Sequence, residues 1–371
     1  MRIGINLLYL YPDAVGGTET YARGLIDGLR RVGVENKYFL FCSRESAPTF
    51  SEYNNLEVIS LPASASNRVL RSLFEIFIFP FYLLKYKIDI VHSLGYSSPL
   101  ISPCPTIVNI YDLNWYYHPE DFNLFRRIGW RLFIKSSAIF TTKIVTSSFS
   151  SKKHILEILR VPSNKVEVVY GGVPIMKNPK SRKSLLKYGI KGDYLFTLTA
   201  DVPHKNIIGL LKAHKILIES GKKYTLVIGG LRGNMKIIAT EFIKKEGMED
   251  RVVTLGWLTD EDLATLYKYA KVFVIPSLHE GFGFVVLEAF VFGVPLVSSN
   301  AFSLKEVIGN AGVLFNPRRP KEIADKIKLV MENPKLLTKL KKLERTRINV
   351  FDWQKSAKAT LDIYNSVLKH G

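Results

Sequence analysis

The chain has 371 residues, of which 47 % are hydrophobic and 12 % aromatic. That is too long for one ordinary core and too apolar for a disordered chain, so two packed domains are expected. A formal charge of +19 favours anionic partners such as phosphate-bearing substrates or acidic lipid, while the absence of zinc-ligand spacing or an RNA-binding signature sets nucleic acid aside.

Residues 2–7 read as a first strand and not a secretory leader, because Asn6 and Pro12 break the apolar run and no small-residue cleavage site follows. The two cysteines, Cys42 and Cys104, imply no disulfide framework and point to a reducing, cytoplasmic compartment. After a loop over 9–15, Gly16 and Gly17 open a helix, a place where an anion can approach backbone N–H groups. Residues 37–42 and 56–61 read as strands. The long apolar stretch 68–87 is interrupted by Pro80, and Arg71, Glu75 and Lys85 leave too short an uncharged run for a membrane span. It reads as a core helix, or as one that shows Phe and Leu to a bilayer surface.

Strands follow at 88–93 and 106–111, the second ending in Tyr111 and Asp112, with an aromatic loop over 113–119. A helix over 122–140 carries Arg126, Arg127, Arg131 and Lys135 on or near one side. This is either a solvated face or a contact for anionic lipid or a pyrophosphate-bearing acceptor. Ser148 and Ser150 are both candidate N-caps for a helix over 151–159. After a strand at 165–169, residues 171–183 are rich in Gly, Pro, Asn and Lys without periodicity, which marks a linker.

From Tyr194 strand and helix alternate again: 194–199, 207–219, 224–228, 235–246, 252–255, 260–270 and 272–275. Such alternation implies a parallel sheet with helices on both faces. His204 and Lys205 fall between a strand and a helix, where a lysine is well placed for phosphate. Trp257 and Leu258 follow another strand. Asp260 and Asp262 form a literal Asp-x-Asp, but after Thr259 they read as helix-capping acids and not as metal ligands. Beyond Pro317 the chain is helical, with Trp353, Ala357, Leu361 and Tyr364 on one face.

The most informative stretch is Pro276 to Ser298. A β-branched strand ends at Pro276, and the loop Glu280-Gly281-Phe282-Gly283 leads into a helix over 284–292, starting Phe284-Val285 and stopped by Gly293 and Pro295. Two carboxylates, Glu280 and Glu288, thus flank free backbone donors at a helix start that suit phosphate.

This stretch resembles the Glu-x7-Glu signature of the retaining, GT-B-type glycosyltransferases of family GT4, and the likeness runs along nearly the whole chain. The resemblance implies two doubly wound Rossmann-like α/β domains facing across a cleft, with the last helix returning to the first domain. Residues 1–172, with 352–371, would bind the acceptor, and residues 173–351 the nucleotide-sugar. It implies that Glu280 contacts hydroxyls of the donor sugar, that Glu288 holds the ribose, and that Gly281, Phe282, Gly283, Phe284 and Val285 meet sugar and diphosphate. Gly16 and Gly17 would face the diphosphate, Lys205 and His204 would grip it, and Trp257 and Leu258 would seat the base.

Two departures stand out. Tyr111 occupies the position of a histidine that contacts the donor sugar in most relatives, which makes Asp112 the firmer catalytic candidate beside Glu280. His204 replaces an arginine, so the two-pronged clamp on phosphate oxygen is lost and donor affinity becomes pH-sensitive. The implied reaction moves a hexose from a nucleotide-diphosphate sugar, GDP-mannose or a UDP-sugar, to a glycan or lipid-linked acceptor of surface polysaccharide or glycolipid. It requires no bound metal or other cofactor. A phosphorylase or nucleotide-sugar epimerase on the same fold is one alternative, and a non-catalytic anion- or membrane-binding protein is another. Peripheral contact with the inner face of an anionic membrane is an expected accessory property.

Overall fold

A computed structural model describes residues 1–12, 16–50 and 56–369, leaving aside the side chain of residue 125. Of the loop expected over 9–15, residues 13–15 therefore lie outside the described residues. The chain divides into two compact units, Met1–Gly172 with Phe351–Gly371, and Val173–Val350.

The first unit holds a parallel sheet of seven strands: β1 (Arg2–Leu7), β2 (Lys37–Cys42), β3 (Glu57–Ser60), β4 (Ile90–Ser93), β5 (Thr106–Asn109), β6 (Lys143–Thr146) and β7 (Val166–Val168), in the order β3-β2-β1-β4-β5-β6-β7. Its helices are α1 (Gly17–Val32), α2 (Arg68–Phe77), α3 (Phe79–Lys85), α4 (Asn114–Tyr117), α5 (Leu124–Phe140) and α6 (Phe149–Leu159). The central strands are buried on both faces, which is why they read as continuous apolar runs. Within that core Asn6 lies opposite Ser93 and donates to its hydroxyl at 3.1 Å, fixing the β1–β4 register with a satisfied polar pair.

In the second unit six strands are parallel: β8 (Tyr194–Leu198), β9 (Thr225–Gly229), β10 (Val252–Thr254), β11 (Val272–Ile275), β12 (Leu296–Ser299) and β13 (Gly312–Phe315), ordered β10-β9-β8-β11-β12-β13. Around them lie α7 (Ile207–Glu219), α8 (Gly233–Lys245), α9 (Asp260–Tyr269), α10 (Phe284–Phe292), α11 (Ser303–Ile308), α12 (Pro320–Met331) and α13 (Pro334–Arg347). Helix α10 is apolar on nearly every face because it is buried in the body of the unit.

The last helix, α14 (Trp353–Lys369), belongs to the first unit and packs along α1. Gly24 and Gly28, one turn apart on α1, make room for Trp353, whose atoms a Cβ at either position would strike. Ala357 and Tyr364 are fully buried on the same face, and the Tyr364 hydroxyl meets His92 Nδ1 at 2.7 Å.

Local differences from the sequence reading have local causes. The stretch 68–87 is two helices that meet at Ile78, one residue ahead of the position where Pro80 constrains the chain. Phe74, Phe79 and Leu83 are buried on the core while Val69, Phe77 and Phe81 are exposed, so the stretch covers the core with one face and shows apolar side chains on the other. The expected loop 113–119 contains α4, the strand expected from Ile88 begins at Ile90, and of the two serines it is Ser148 that caps α6, accepting from Ser151 N at 3.0 Å. The basic residues of α5 do not share one side. Arg126 turns into a cavity with Trp130, whereas Arg131 and Lys135 line a separate hollow with Arg160 and Lys165. Among the described residues no helix is long and apolar enough to cross a membrane.

Candidate active site

In each sheet the strand order reverses once, between β1 and β4 and between β8 and β11. At such a point the loops leaving neighbouring strands diverge and open a crevice beyond the strand ends. In the second unit those two loops carry Lys205 and Glu280.

Lys205 Nζ lies 2.6 Å from Glu280 Oε1, with the two side chains 21 % and 13 % exposed. The same oxygen accepts from the Ser277 hydroxyl at 2.8 Å. Burial by itself would push the Glu280 carboxyl up, but the charge and hydrogen bond of Lys205, with His204 and Ser277, outweigh it and hold the carboxyl below its ordinary range. Glu280 is therefore a carboxylate at neutral pH.

The loops are locked by groups that sequence reasoning passed over. Asn206 adopts a left-handed backbone, φ 55°, and its amide donates to Pro276 O at 3.0 Å and to Pro317 O at 2.9 Å. One side chain thereby ties together the loops after β8, β11 and β13. The Leu278 N–H donates to His204 O at 2.7 Å, and the Ser303 hydroxyl donates to Glu280 O at 2.6 Å. Asn in a left-handed position just before a helix was a usable signal for Asn206; Ser277 and Ser303 carried none, because their roles arise only on folding.

Gly281, Phe282 and Gly283 lead into α10. Gly283 sits at φ 91°, where an L side chain is strained, and a Cβ there would come within 2.9 Å of Leu304. The N–H groups of Phe284 and Val285 open the helix. Glu288, half-buried one turn on, accepts the Tyr267 hydroxyl at 2.8 Å. Burial pushes its carboxyl up more than Tyr267 and Lys205 pull it down. Trp257 is 63 % exposed, so it is no core residue, and the Arg232 guanidinium lies 5.2 Å from its ring centroid. Leu258 beside it is half-buried.

Asp262, from the Asp-x-Asp, is held far from metal chemistry. Thr259 caps α9 by accepting from Asp262 N at 3.2 Å. The Asp262 carboxylate takes Lys187 and Tyr188 at 2.7 and 2.8 Å and Lys180 at 3.1 Å. Burial alone would raise this carboxyl; those three donors instead hold it well below the usual range.

The first unit places Gly16 and Gly17 at its own reversal point, after β1, and Tyr111 and Asp112 one strand further along, after β5. Gly16 has φ 58° and precedes α1, which Gly17 begins; Glu19 in the first turn pairs with Arg23 at 2.8 Å. Tyr111 is buried and its hydroxyl donates to Leu94 O at 2.9 Å, so its proton is committed to the backbone. Its ring meets Tyr21 and Tyr96 edge-on, at 5.2 and 5.5 Å. Asp112 accepts from Asn114 N at 3.3 Å, a turn-forming contact, and also bonds to Tyr96. Burial first, and then the charge and hydrogen bond of Asp112, push the Tyr96 phenol well above its usual value.

Two family models cover almost all of the chain: Glycosyltransferase Family 4 matches residues 15–177, and Glycosyl transferases group 1 matches residues 178–347. O-antigen chain mannosyltransferase B of Escherichia coli is 33 % identical over 209 residues, covering 54 % of this chain and 53 % of that protein. The chain thus spans about half the length of this relative. O-antigen chain mannosyltransferase RfbU of Salmonella typhimurium is 24 % identical over 342 residues, covering 90 % of this chain and 92 % of that protein. Among solved structures, a glycosyltransferase from Rickettsia africae superposes with a TM-score of 0.74 at 18 % identity, covering 100 % of this chain and 99 % of that one. At that identity the likeness speaks for the fold alone.

Proposed function

The chain belongs to the glycosyltransferases of family 4, and we propose that it transfers a hexose from a nucleotide-diphosphate sugar to a glycan or lipid-linked acceptor. The observation that carries this reading is the Lys205–Glu280 pair at the reversal point of the second sheet, beside the glycine loop that opens α10. Mannose is the favoured hexose, because both mannosyltransferases above are so named.

In this reading Lys205 exchanges Glu280 for the diphosphate, and the freed carboxylate accepts hydroxyls of the sugar. The bond between the sugar's anomeric carbon and the phosphate oxygen breaks with its electron pair leaving on the diphosphate. Lys205 and the N–H groups of Gly281 to Val285 stabilise the developing charge. The acceptor oxygen bonds to the same face of the anomeric carbon, with retention. Its proton passes to a phosphate oxygen, so the step calls for no protein nucleophile and no bound metal. Glu288 accepts ribose hydroxyls in place of Tyr267; because its carboxyl is pushed up, nucleotide affinity falls as pH drops through its titration. Residues 173–351 carry the donor, and residues 1–172 with 352–371 the acceptor.

The test is a thermal-shift panel of GDP, UDP, GDP-mannose and UDP-sugars, since binding raises stability by mass action, followed by acceptor-dependent release of nucleoside diphosphate. Stabilisation by one nucleotide with release only when acceptor is present supports transfer. Release that needs inorganic phosphate would make the protein a phosphorylase, and no preference among polyanions would leave only a charged surface.

A further inference from the structure

The reversal point of the first sheet adjoins a cavity of about 410 Å³ between α2, α5 and the loop after β4, within the size range of pockets that hold small ligands. Its lining has two characters. Val69, Trp130 and Phe133 make an apolar wall, and Arg68, Arg71 and Arg126 bring three guanidinium groups to it. Among the described residues the acid paired with these arginines is Glu75, buried to 3 % exposure, 3.8 Å from Arg71 Nε and accepting from the Ser97 hydroxyl at 2.7 Å. Among the described residues Arg71 Nε–H is buried without a hydrogen-bond partner, while Arg68 and Arg126 stand exposed at the mouth. Three cations with one acid along an open groove with an apolar wall are complementary to an anion that carries a hydrocarbon chain more than to a sugar or a plain phosphate.

The far wall of the cavity is Tyr96, whose ring meets Trp130 edge-on at 5.2 Å and whose hydroxyl side reaches Asp112. Tyr96 holds φ 55°, a left-handed backbone that bulky residues rarely adopt. One residue with a strained backbone thus separates the cavity from Asp112, the carboxylate singled out as a catalytic candidate in this unit.

We propose that this cavity seats the acceptor, and that the acceptor is a lipid phosphate: Arg68, Arg71 and Arg126 take the phosphate while the chain lies along Val69, Trp130 and Phe133. The assignment rests on the glycosyltransferase reading for the word acceptor, but binding itself does not, and the test separates the two.

The full chain is titrated with dodecyl phosphate below its micellar concentration, with dodecyl maltoside and inorganic phosphate as controls, following tryptophan fluorescence. Dodecyl phosphate is expected to bind at least about tenfold more tightly than either control. Gly129→Phe should fill the cavity, its Cβ starting in open space with no atom within 4 Å, and an unchanged denaturation midpoint checks that the fold is kept; it and Arg126→Gln should each weaken binding by about tenfold or more. Stabilisation by nucleoside diphosphates should be unchanged in both variants. Equal affinity for dodecyl phosphate in parent and Gly129→Phe overturns the proposal, as does inorganic phosphate binding as tightly as dodecyl phosphate. If both also sediment equally on phosphatidylglycerol vesicles, the outer faces of α2 and α5 do the docking instead. Dodecyl phosphate binding intact with no nucleotide stabilisation would sink the transferase reading and leave the lipid site standing.

Discussion

The two sheet reversal points share a topology and differ in almost everything placed upon it. In the second unit the crevice is ionic: Lys205 and Glu280 face each other across loops clamped by Asn206. In the first it is phenolic: Tyr21, Tyr96 and Tyr111 pack edge to face, and the hydroxyls of Tyr21 and Tyr111 donate to backbone carbonyls. The contrast teaches that the fold supplies a place and the residues supply the chemistry. In the proposed reaction the compact ion pair would trade partners with a phosphate and sugar hydroxyls in each turnover, whereas the rigid aromatic wall would position.

The sharpest way to break the contrast is Glu280→Ala, which should cut transfer on the order of 1000-fold while nucleoside diphosphate still stabilises the protein; near-parental turnover would remove the ionic crevice from the chemistry. Next comes a carboxyl of the second unit that breaks its pattern. Glu344 on α13 is fully buried, neither of its oxygens has a hydrogen-bond partner among the described residues, and burial pushes it up to about 8. Between pH 4.5 and about 8 the folded chain keeps a proton that the unfolded chain has released, so stability falls as pH rises, by on the order of 5 kcal/mol across that window. Glu344→Leu should flatten this slope and raise the denaturation midpoint at pH 9; an unchanged slope in urea titrations from pH 5 to 9 would refute the assignment.

Lys205→Ala strands Glu280 and should cost about 2 kcal/mol of stability, most of it recovered when Glu280→Ala is added. Additive losses in that double-mutant cycle would mean that the pair is not coupled. The smallest effect belongs to the phenolic side: Tyr111→Phe leaves Leu94 O without its donor and should cost about 1 kcal/mol, with transfer changed by only a few-fold. A loss comparable to that of Glu280→Ala would make Tyr111 catalytic after all and erase the distinction between the two crevices.

Much of the second unit was legible because its signals are local. The run Val272–Ile275, the glycines around Phe282 and the stop at Gly293 announce a strand, a tight loop and a helix within a few turns of chain. That Lys205 and Glu280 meet follows from strand alternation, since both loops leave the same edge of a parallel sheet. Ser277, Asn206 and Tyr267 were not assigned, because their partners lie 3, 70 and 21 residues away and the last two depend on sheet order. The first unit was less legible. Nothing in the pattern of 68–87 or 124–140 tells which arginine lines which hollow, because Arg126 and Arg131 sit on the same apolar-basic helix and only packing separates them. Trp257 reads equally well as a core residue from its flanking strand, and only the folded chain shows it in the open.

The placement of α14 bears on how the protein is made. Its buried face, with Tyr364 bonded to His92 and the Ser356 hydroxyl donating to Tyr170 O at 2.6 Å, completes the first unit with residues that emerge from the ribosome after the whole second unit. The half begun first is thus finished last. Until Trp353 reaches Gly24 and Gly28, a strip of α1 stays uncovered, and a nascent chain stalled before residue 351 should carry one native domain and one still awaiting its closing helix.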